Sequence, residues 1–323
     1  MKRIIPAWAF LLLALTACEK SIKEEVAIDD DVAMATERRC DADLVLSQQL
    51  AEDPSLKDKL ANIESFTNDY VAKKKSGLVK QATVTIPVVV NVLYRTAAEN
   101  VSDAQIQSQI DVLNRDFNAT NTDFNSYIPA EYAGLKANVG ITFTLQAVVR
   151  KATNKTSWRT NDDMKKSTKG GINPTSPSNT LNIWVCTLSN SILGYAQFPG
   201  GSSATDGVVI LNRAFGTTGT AAAPFNLGRT ATHEVGHWAN LRHIWGDATC
   251  GNDQVTDTPP HNTANYGCPA QGHKSTCTGT PNELWMNYMD YTDDRCMYMF
   301  STGQKDRMLA VFAAGGPRAG FSL

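Results

Sequence analysis

The chain lacks an excess of charge of either sign: 30 Lys and Arg face 32 Asp and Glu, a formal charge of -2. That balance gives no electrostatic reason to bind nucleic acid or an anionic membrane. Internal repeats are missing, and the most apolar run, Ile4 to Leu15, is too short to span a bilayer comfortably. Paired C-x-x-C knuckles and the EF-hand loop pattern are missing too, which removes the commonest signatures of cysteine-bound zinc and loop-bound calcium. What is present is 42% hydrophobic and 19% charged residues over 323 positions, enough for a folded soluble body with a sizeable core, as one large domain plus an accessory segment. Seven cysteines, an odd number, leave at least one outside internal disulfides.

Lys2 and Arg3, the apolar run and the small exit Thr16-Ala17 have the three-part layout of a secretory signal. Leu15-Thr16-Ala17-Cys18 also resembles a bacterial lipobox, in which Cys18 is lipidated and becomes the first mature residue; an ordinary cleaved signal is the alternative. Either reading places the mature chain outside the cytoplasm, secreted or lipid-anchored at a bacterial envelope. Any membrane contact then runs through Cys18, and disulfides are permitted. The acidic, polar stretch after Cys18, through Asp31, cannot bury enough apolar surface to fold and reads as a tether.

From Asp53-Pro54 the pattern changes. Asp53 can cap and Pro54 suits a first helical position, while Leu56, Leu60, Ile63, Phe66 and Tyr70 recur at helical spacing up to a basic linker, Lys73-Lys74-Lys75-Ser76-Gly77. Val84 to Leu93 is a nearly continuous β-branched run, as expected of a strand covered on both faces, and opens the large domain. Ser102-Asp103 starts a helix with Ile106, Ile110, Leu113 and Phe117 on one face. Further strands are expected at Ile141 to Val149, Leu181 to Val185 and Val208 to Leu211, and helices from Asn226 to about Asn240 and from Thr302 to Ala313. Strands interleaved with helices point to an α/β or α+β sheet. Residues between Asn240 and Phe300 read as loops.

Within the helix after Asn226 lies His233-Glu234-Val235-Gly236-His237, so two histidines four apart project from one face and can share a metal. His243 follows six residues later and can swing back as a third ligand if the helix breaks between them. Asn240 is a suitable hinge, because Asn tolerates the left-handed conformation better than other non-glycine residues. Three neutral imidazoles leave the fourth position of a tetrahedral zinc open for water, the layout of a catalytic rather than a structural site. Glu234, next to the first histidine, is placed to take that water's proton as general base and deliver it to a leaving amine.

His233-Glu234-x-x-His237-x-x-Asn240-x-x-His243 resembles the metzincin zinc motif, with Asn240 where that motif usually has glycine. Asn287-Tyr288-Met289-Asp290-Tyr291 resembles the methionine turn of the pappalysin branch, and His233 to Trp238 with Leu241-Arg242-His243 is similar to the same branch. The likeness covers roughly Thr83 to Phe312. It implies an α+β, metzincin-like zincin: a mixed twisted sheet, a backing helix, a zinc-site helix, a loop-rich disulfide-stapled C-terminal subdomain and a small helical N-terminal pro-segment. Together with the signal and tether read above, the expected division is a signal over 1–18, a tether and inhibitory pro-segment over 19–80, and a zinc metallopeptidase domain over 81–323 that cuts protein or peptide substrates. Met289 would be the floor beneath the histidines, and Tyr291 would bond the tetrahedral intermediate. Met286, Met297 and Met299 compete for the turn; the Met-x-Tyr spacing and the Cys296 after it favour Met289.

Cys250, Cys268, Cys277 and Cys296 lie where little apolar core is available and point to two disulfides, with three pairings open. The resemblance implies Cys250 with Cys277 and Cys268 with Cys296. Asp253, Asp257 and Thr258 offer hard oxygens at short spacing and the resemblance implies calcium nearby; Asp253 and Thr258 are the candidate ligands. Cys40, in Arg38-Arg39-Cys40-Asp41, could occupy the open zinc position with its thiolate and keep the chain latent, a cysteine switch relieved by cutting between Lys73 and Lys80. Cys186 reads as a buried strand residue, His261 and His273 as loop residues, and Trp158, Trp184, Trp245 and Trp285 as packing residues. Leu193 to Phe198 resembles the edge strand to which peptide substrates add. Beyond the turn, Asp293 and Asp294 precede Arg295: carboxylates lining the pocket would favour basic side chains, and Arg295 would repel them. The rival from another class is an inactive surface-binding lipoprotein of the same fold. Oligomeric state is not legible.

Overall fold

The computed structural model describes Met1, residues 35–79 and residues 83–321. The signal, Cys18 and the acidic tether lie outside the described residues. No helix among the described residues is long and apolar enough to cross a membrane.

A five-stranded sheet organises the chain. Its members are β1 (Val84–Tyr94), β2 (Ile141–Ala152), β3 (Leu181–Cys186), β4 (Gly194–Ala196) and β5 (Val208–Leu211), in the order β2-β1-β3-β5-β4. All neighbours run parallel except β4, which pairs antiparallel with β5 at the edge. The expected strands are therefore present, and the mixed sheet has its antiparallel member where the substrate strand was expected. Side chains alternate across it. Ile86, Val88, Val90, Ile183, Val185, Val208 and Ile210 face one core, while Leu93, Trp184, Cys186, Tyr195, Val209 and Leu211 face a second core beneath the loops of residues 158–193. Burial on both faces is why β1, β3 and β5 read as nearly continuous apolar runs.

Two helices back the first face. In α3 (Asp103–Phe117) the Ser102 hydroxyl accepts from Gln105 N at 3.1 Å, a cap that starts the helix where the sequence placed it. The helix α4 (Arg229–Trp238) is shorter than expected from Asn226, and all ten of its residues are buried. A last helix, α5 (Thr302–Phe312), opens on a capping box between Ser301 and Gln304. Residues 239–300 hold no strand or α-helix and are stapled by Cys250–Cys277 and Cys268–Cys296, the pairing that the resemblance implied.

The N-terminal segment differs from expectation. Two helices form, α1 (Ala42–Glu52) and α2 (Leu56–Lys75), where one was expected. Only Ala42 and Val45 of α1 are buried, too few to leave a helical stripe in the sequence. Asp53 closes α1 instead of opening α2: its carboxylate accepts from Ser55 N at 3.0 Å and Ser55 Oγ at 2.5 Å, and α2 begins at Leu56. Lys73, Lys74 and Lys75 belong to the last turn of α2 and not to the linker, which starts at Ser76.

Candidate metal centre and cleft

α4 carries His233 and His237 one turn apart, and their Nε2 atoms lie 3.1 Å from each other. The helix stops at Trp238, Asn240 takes φ 75°, and the reversed chain brings His243 Nε2 to 3.1 Å from His237 Nε2. Asn240 is thus the hinge, in the left-handed conformation expected of it. Each ring's other nitrogen is engaged. His233 Nδ1 donates to Tyr288 O at 2.7 Å, His237 Nδ1 to Leu241 O at 2.8 Å, and His243 Nδ1 to Asp247 Oδ1 at 2.6 Å. With the protons on Nδ1, three Nε2 lone pairs converge on one point and repel unless a cation sits between them. Ligands about 2.1 Å from a tetrahedral metal stand about 3.4 Å apart, close to the spacing seen, so these residues fit a metal. Burial and the neighbouring imidazoles push His233 well below its ordinary value, and burial takes His237 down to about 3. Burial would depress His243 as well, but Asp247 and Asp43 outweigh it and leave it at about 9.

Glu234 sits beside the three rings, 1% exposed, where burial raises its carboxyl to about 8. Its neighbour on the sheet edge is Gly194: a Cβ there would come within 2.9 Å of Glu234 Cγ. Below the helix, a Cβ on Gly236 would run into Met289 Sδ. The position just before His237 is therefore glycine because Met289 packs directly under it. Tyr291 follows at the turn's end, its ring centroid 5.8 Å from His233 and 5.0 Å from His243. Trp245, expected only to pack, stacks on His243 at 4.3 Å.

The N-terminal segment fills the cleft. Leu193 N donates to Arg39 O at 2.9 Å and Asp41 N to Gly194 O at 3.3 Å, so residues 39–41 add to the free edge of β4 in parallel. Cys40 Sγ joins the three histidines in a group whose ligand atoms all lie within 4.8 Å of one another. The thiol donates to Glu234 Oε2 at 3.3 Å, and burial and that carboxylate raise it well above the ordinary thiol value. Tyr291 OH donates to Cys40 O at 2.9 Å and accepts from Cys40 N at 3.2 Å. Asp43 Oδ2 comes to 2.9 Å from His243 Nδ1, beside Asp247.

Two residues back, Arg38 reaches the charged residues that follow the methionine turn. Its guanidinium is buried, with Nη2 donating to Asp294 Oδ1 at 2.6 Å, Nη1 to Thr230 Oγ1 at 3.0 Å and Nε to Thr292 O at 3.2 Å. Asp294 is fully buried, its other oxygen accepting from Leu227 N at 2.7 Å, whereas Arg295 has a 73% exposed side chain lying 3.7 Å from Asp293. Of the charged residues after the turn, Asp294 is therefore the one turned inward, and a basic side chain pairs with it. The acidic loop is divided. Asp253 Oδ2 accepts from Thr258 Oγ1 at 2.8 Å, but Asp257 turns away to Ser301 Oγ and Gly303 N at the start of α5, each at 2.7 Å.

Residues 179–313 match the model of the peptidase M43 family, described as pregnancy-associated plasma protein-A. An extracellular metalloprotease of Verticillium alfalfae is 34% identical over 244 residues, 70% of this chain and 78% of that protein. One of Pyricularia oryzae is 32% identical over 291 residues, 87% of this chain and 91% of that protein. The chain belongs to peptidase family M43. Among solved structures, a promirolysin mutant of Tannerella forsythia is 39% identical with a TM-score of 0.80, over 88% of this chain and 97% of that one. Mature mirolysin from the same organism, in complex with a cleaved peptide, is 43% identical with a TM-score of 0.73, over 76% and 97%. This M43 chain is accordingly a metalloendopeptidase with an α+β, metzincin-like fold.

Several residues of the cleft escaped the sequence reading. Arg38 and Asp43 stand within three residues of Cys40, which was the available signal, but nothing local says that one reaches Asp294 and the other His243. Gly194 and Gly236 carry no chemistry of their own, and only the close approach of Glu234 and Met289 explains them.

Proposed function

We propose that this M43 metalloendopeptidase works through zinc held by His233, His237 and His243, and that the segment up to about residue 80 keeps it latent. Zinc in that position supplies Lewis-acid chemistry, acidifying water and polarising a scissile carbonyl. The remaining steps fall to side chains. Glu234 Oε2, now facing a thiol, takes the proton of the attacking water and passes it to the leaving amine; its carboxyl, raised by burial, is suited to both transfers. Tyr291 OH, now held by the Cys40 backbone, is freed on release to donate to the oxygen that gains charge. Met289 supports the histidines from beneath Gly236.

The observation that carries the substrate class is Arg38 against Asp294: a side chain beside the centre is an arginine, fully desolvated and paired. We assign the pocket to a basic residue flanking the scissile bond of a peptide. Latency is supported by the same contacts and by Cys40 among the histidines, and the likeness to mirolysin grows from 76% of this chain for the mature form to 88% for the pro-form. Export, with a lipid anchor at Cys18, accords with the leader and with relatives named extracellular. Calcium is assigned to Asp253 and Thr258, which face each other, without Asp257.

The test is digestion of a mixed peptide library by the chain freed of residues up to Gln81, with cleavage sites read by mass spectrometry. Cutting beside Arg or Lys that a zinc chelator stops, and that zinc restores, is expected. No cutting at all would favour the inactive surface-binding lipoprotein, and cutting without basic preference would refute the pocket assignment.

A further inference from the structure

The N-terminal segment holds the body at two separate places. Residues 38–43 fill the cleft. The second place is behind it, where α2 lies on α5 and on the Asn240 turn. There Arg307, 2% exposed, donates from Nη1 and Nη2 to the two oxygens of Glu64 at 2.7 and 2.5 Å, while its Nε donates to Asn240 O at 2.8 Å. Asn240 Nδ2 donates to Thr67 Oγ1 at 3.3 Å, Thr67 being fully buried. Lys74 Nζ meets Asp306 Oδ1 at 3.0 Å in a largely buried pair. Leu56 and Tyr70 are buried, Ile63 packs on Gly200 and Phe66 lies beside Gly315.

None of these contacts touches the linker. Ser76 ends α2, Gly77 has φ 73° with open space around it, and Leu78 is 77% exposed, so a protease reaches residues 76–78. Every contact named above lies on the N-terminal side of such a cut. Cutting therefore removes none of these contacts; it breaks the covalent link and replaces a high effective concentration by an ordinary one.

We propose that the face formed by α5, Arg307 and the Asn240 turn is a docking surface for the freed segment, which stays on the enzyme as a separate inhibitor after the linker is cut. The proposal rests on the latency reading above and adds to it that opening requires a second event, destruction or slow departure of the segment. Occupant and surface are complementary: an anionic Glu64 and a cationic Lys74 on the helix meet Arg307 and Asp306 on the body, a pattern a random helix does not match. Arg307 also bonds the hinge that delivers the third histidine, so the same surface braces the centre when the segment is present.

The experiment replaces residues 78–81 of the full chain by a recognition sequence for an unrelated protease. Co-elution on gel filtration is read in the Glu234→Ala background, where the enzyme cannot digest its own segment, and activity is read in the parent immediately after the nick. The nicked chain is expected to co-elute with its segment and to show less than about a tenth of the activity reached once the segment is stripped. With Glu64→Ala and Lys74→Ala together, the uncut chain should remain latent, while the nicked chain should lose the segment and gain about tenfold or more over the nicked parent. Immediate full activity with separate elution in the parent overturns the proposal, and so does a double variant that behaves like the parent. An uncut parent that is already active would instead sink the latency reading itself.

Discussion

Replacing Arg38 by alanine should unlock the uncut chain. The guanidinium makes three bonds of 2.6 to 3.2 Å, and its carboxylate partner, Asp294, has no solvent-exposed side-chain surface. Removing one member of a buried ion pair costs about 3 to 5 kcal/mol, because the other charge is left without compensation. That cost falls on the closed state alone, since in the open state Asp294 meets water. Taking about 3 kcal/mol, the fraction of open chain rises about 150-fold. The assay is the initial rate on a fluorogenic arginyl peptide, with the linker rewritten so that no cut occurs. Arg38→Lys should rise less, as an ammonium can still reach Asp294 while losing the fork that also bonds Thr230 and Thr292. A rise of less than about fivefold for Arg38→Ala, or equal rises for the two variants, would refute the reasoning.

In the mature enzyme, Asp294→Asn should lower kcat/KM for arginyl peptides by about 100-fold, roughly the 2 to 3 kcal/mol of a charge-assisted pair, and leave apolar peptides nearly unaffected. Gly236→Ala should destabilise by about 1 to 3 kcal/mol through overpacking against Met289, lowering Tm by several degrees, and Met289→Ala should restore part of the loss in a double-mutant cycle. Burial raises the Asp253 carboxyl to about 6. An acid raised in the folded state contributes stability that is complete below about pH 4 and is lost as pH rises through about 6. Calcium held there should abolish that loss, so melting curves between pH 4 and 7 with calcium and with chelator should diverge as pH rises, and Asp253→Asn should remove the divergence.

Much of this was legible because periodicity reports burial. The runs at Val84 to Leu93 and Val208 to Leu211 are almost wholly apolar because both faces of the sheet are covered, and the Ser102 cap and the face from Ile106 to Phe117 follow from local chemistry. The histidine pattern was legible for a similar reason: spacings of four and six, with an Asn able to take φ 75° between them, already define a shared face and a return. What stayed hidden depends on distant partners. Arg38 and Asp294 are 256 residues apart, and Glu64 and Arg307 are 243 apart, so no window of sequence contains either pair. The helix α1 was missed because the cleft, and not its own apolar stripe, holds it in place. Asp53 was misassigned because a capping residue between two helices can serve either one, and here it closes the first.

The most direct test of the account is metal analysis beside activity for the mature Glu234→Ala chain. Three histidines with their Nδ1 atoms engaged should hold one zinc per chain without the carboxylate, so the account predicts full metal content and peptide hydrolysis reduced by at least about 1000-fold. Retained hydrolysis would contradict the role of Glu234, and loss of the metal together with activity would contradict the separation of ligands from base on which the proposed mechanism stands.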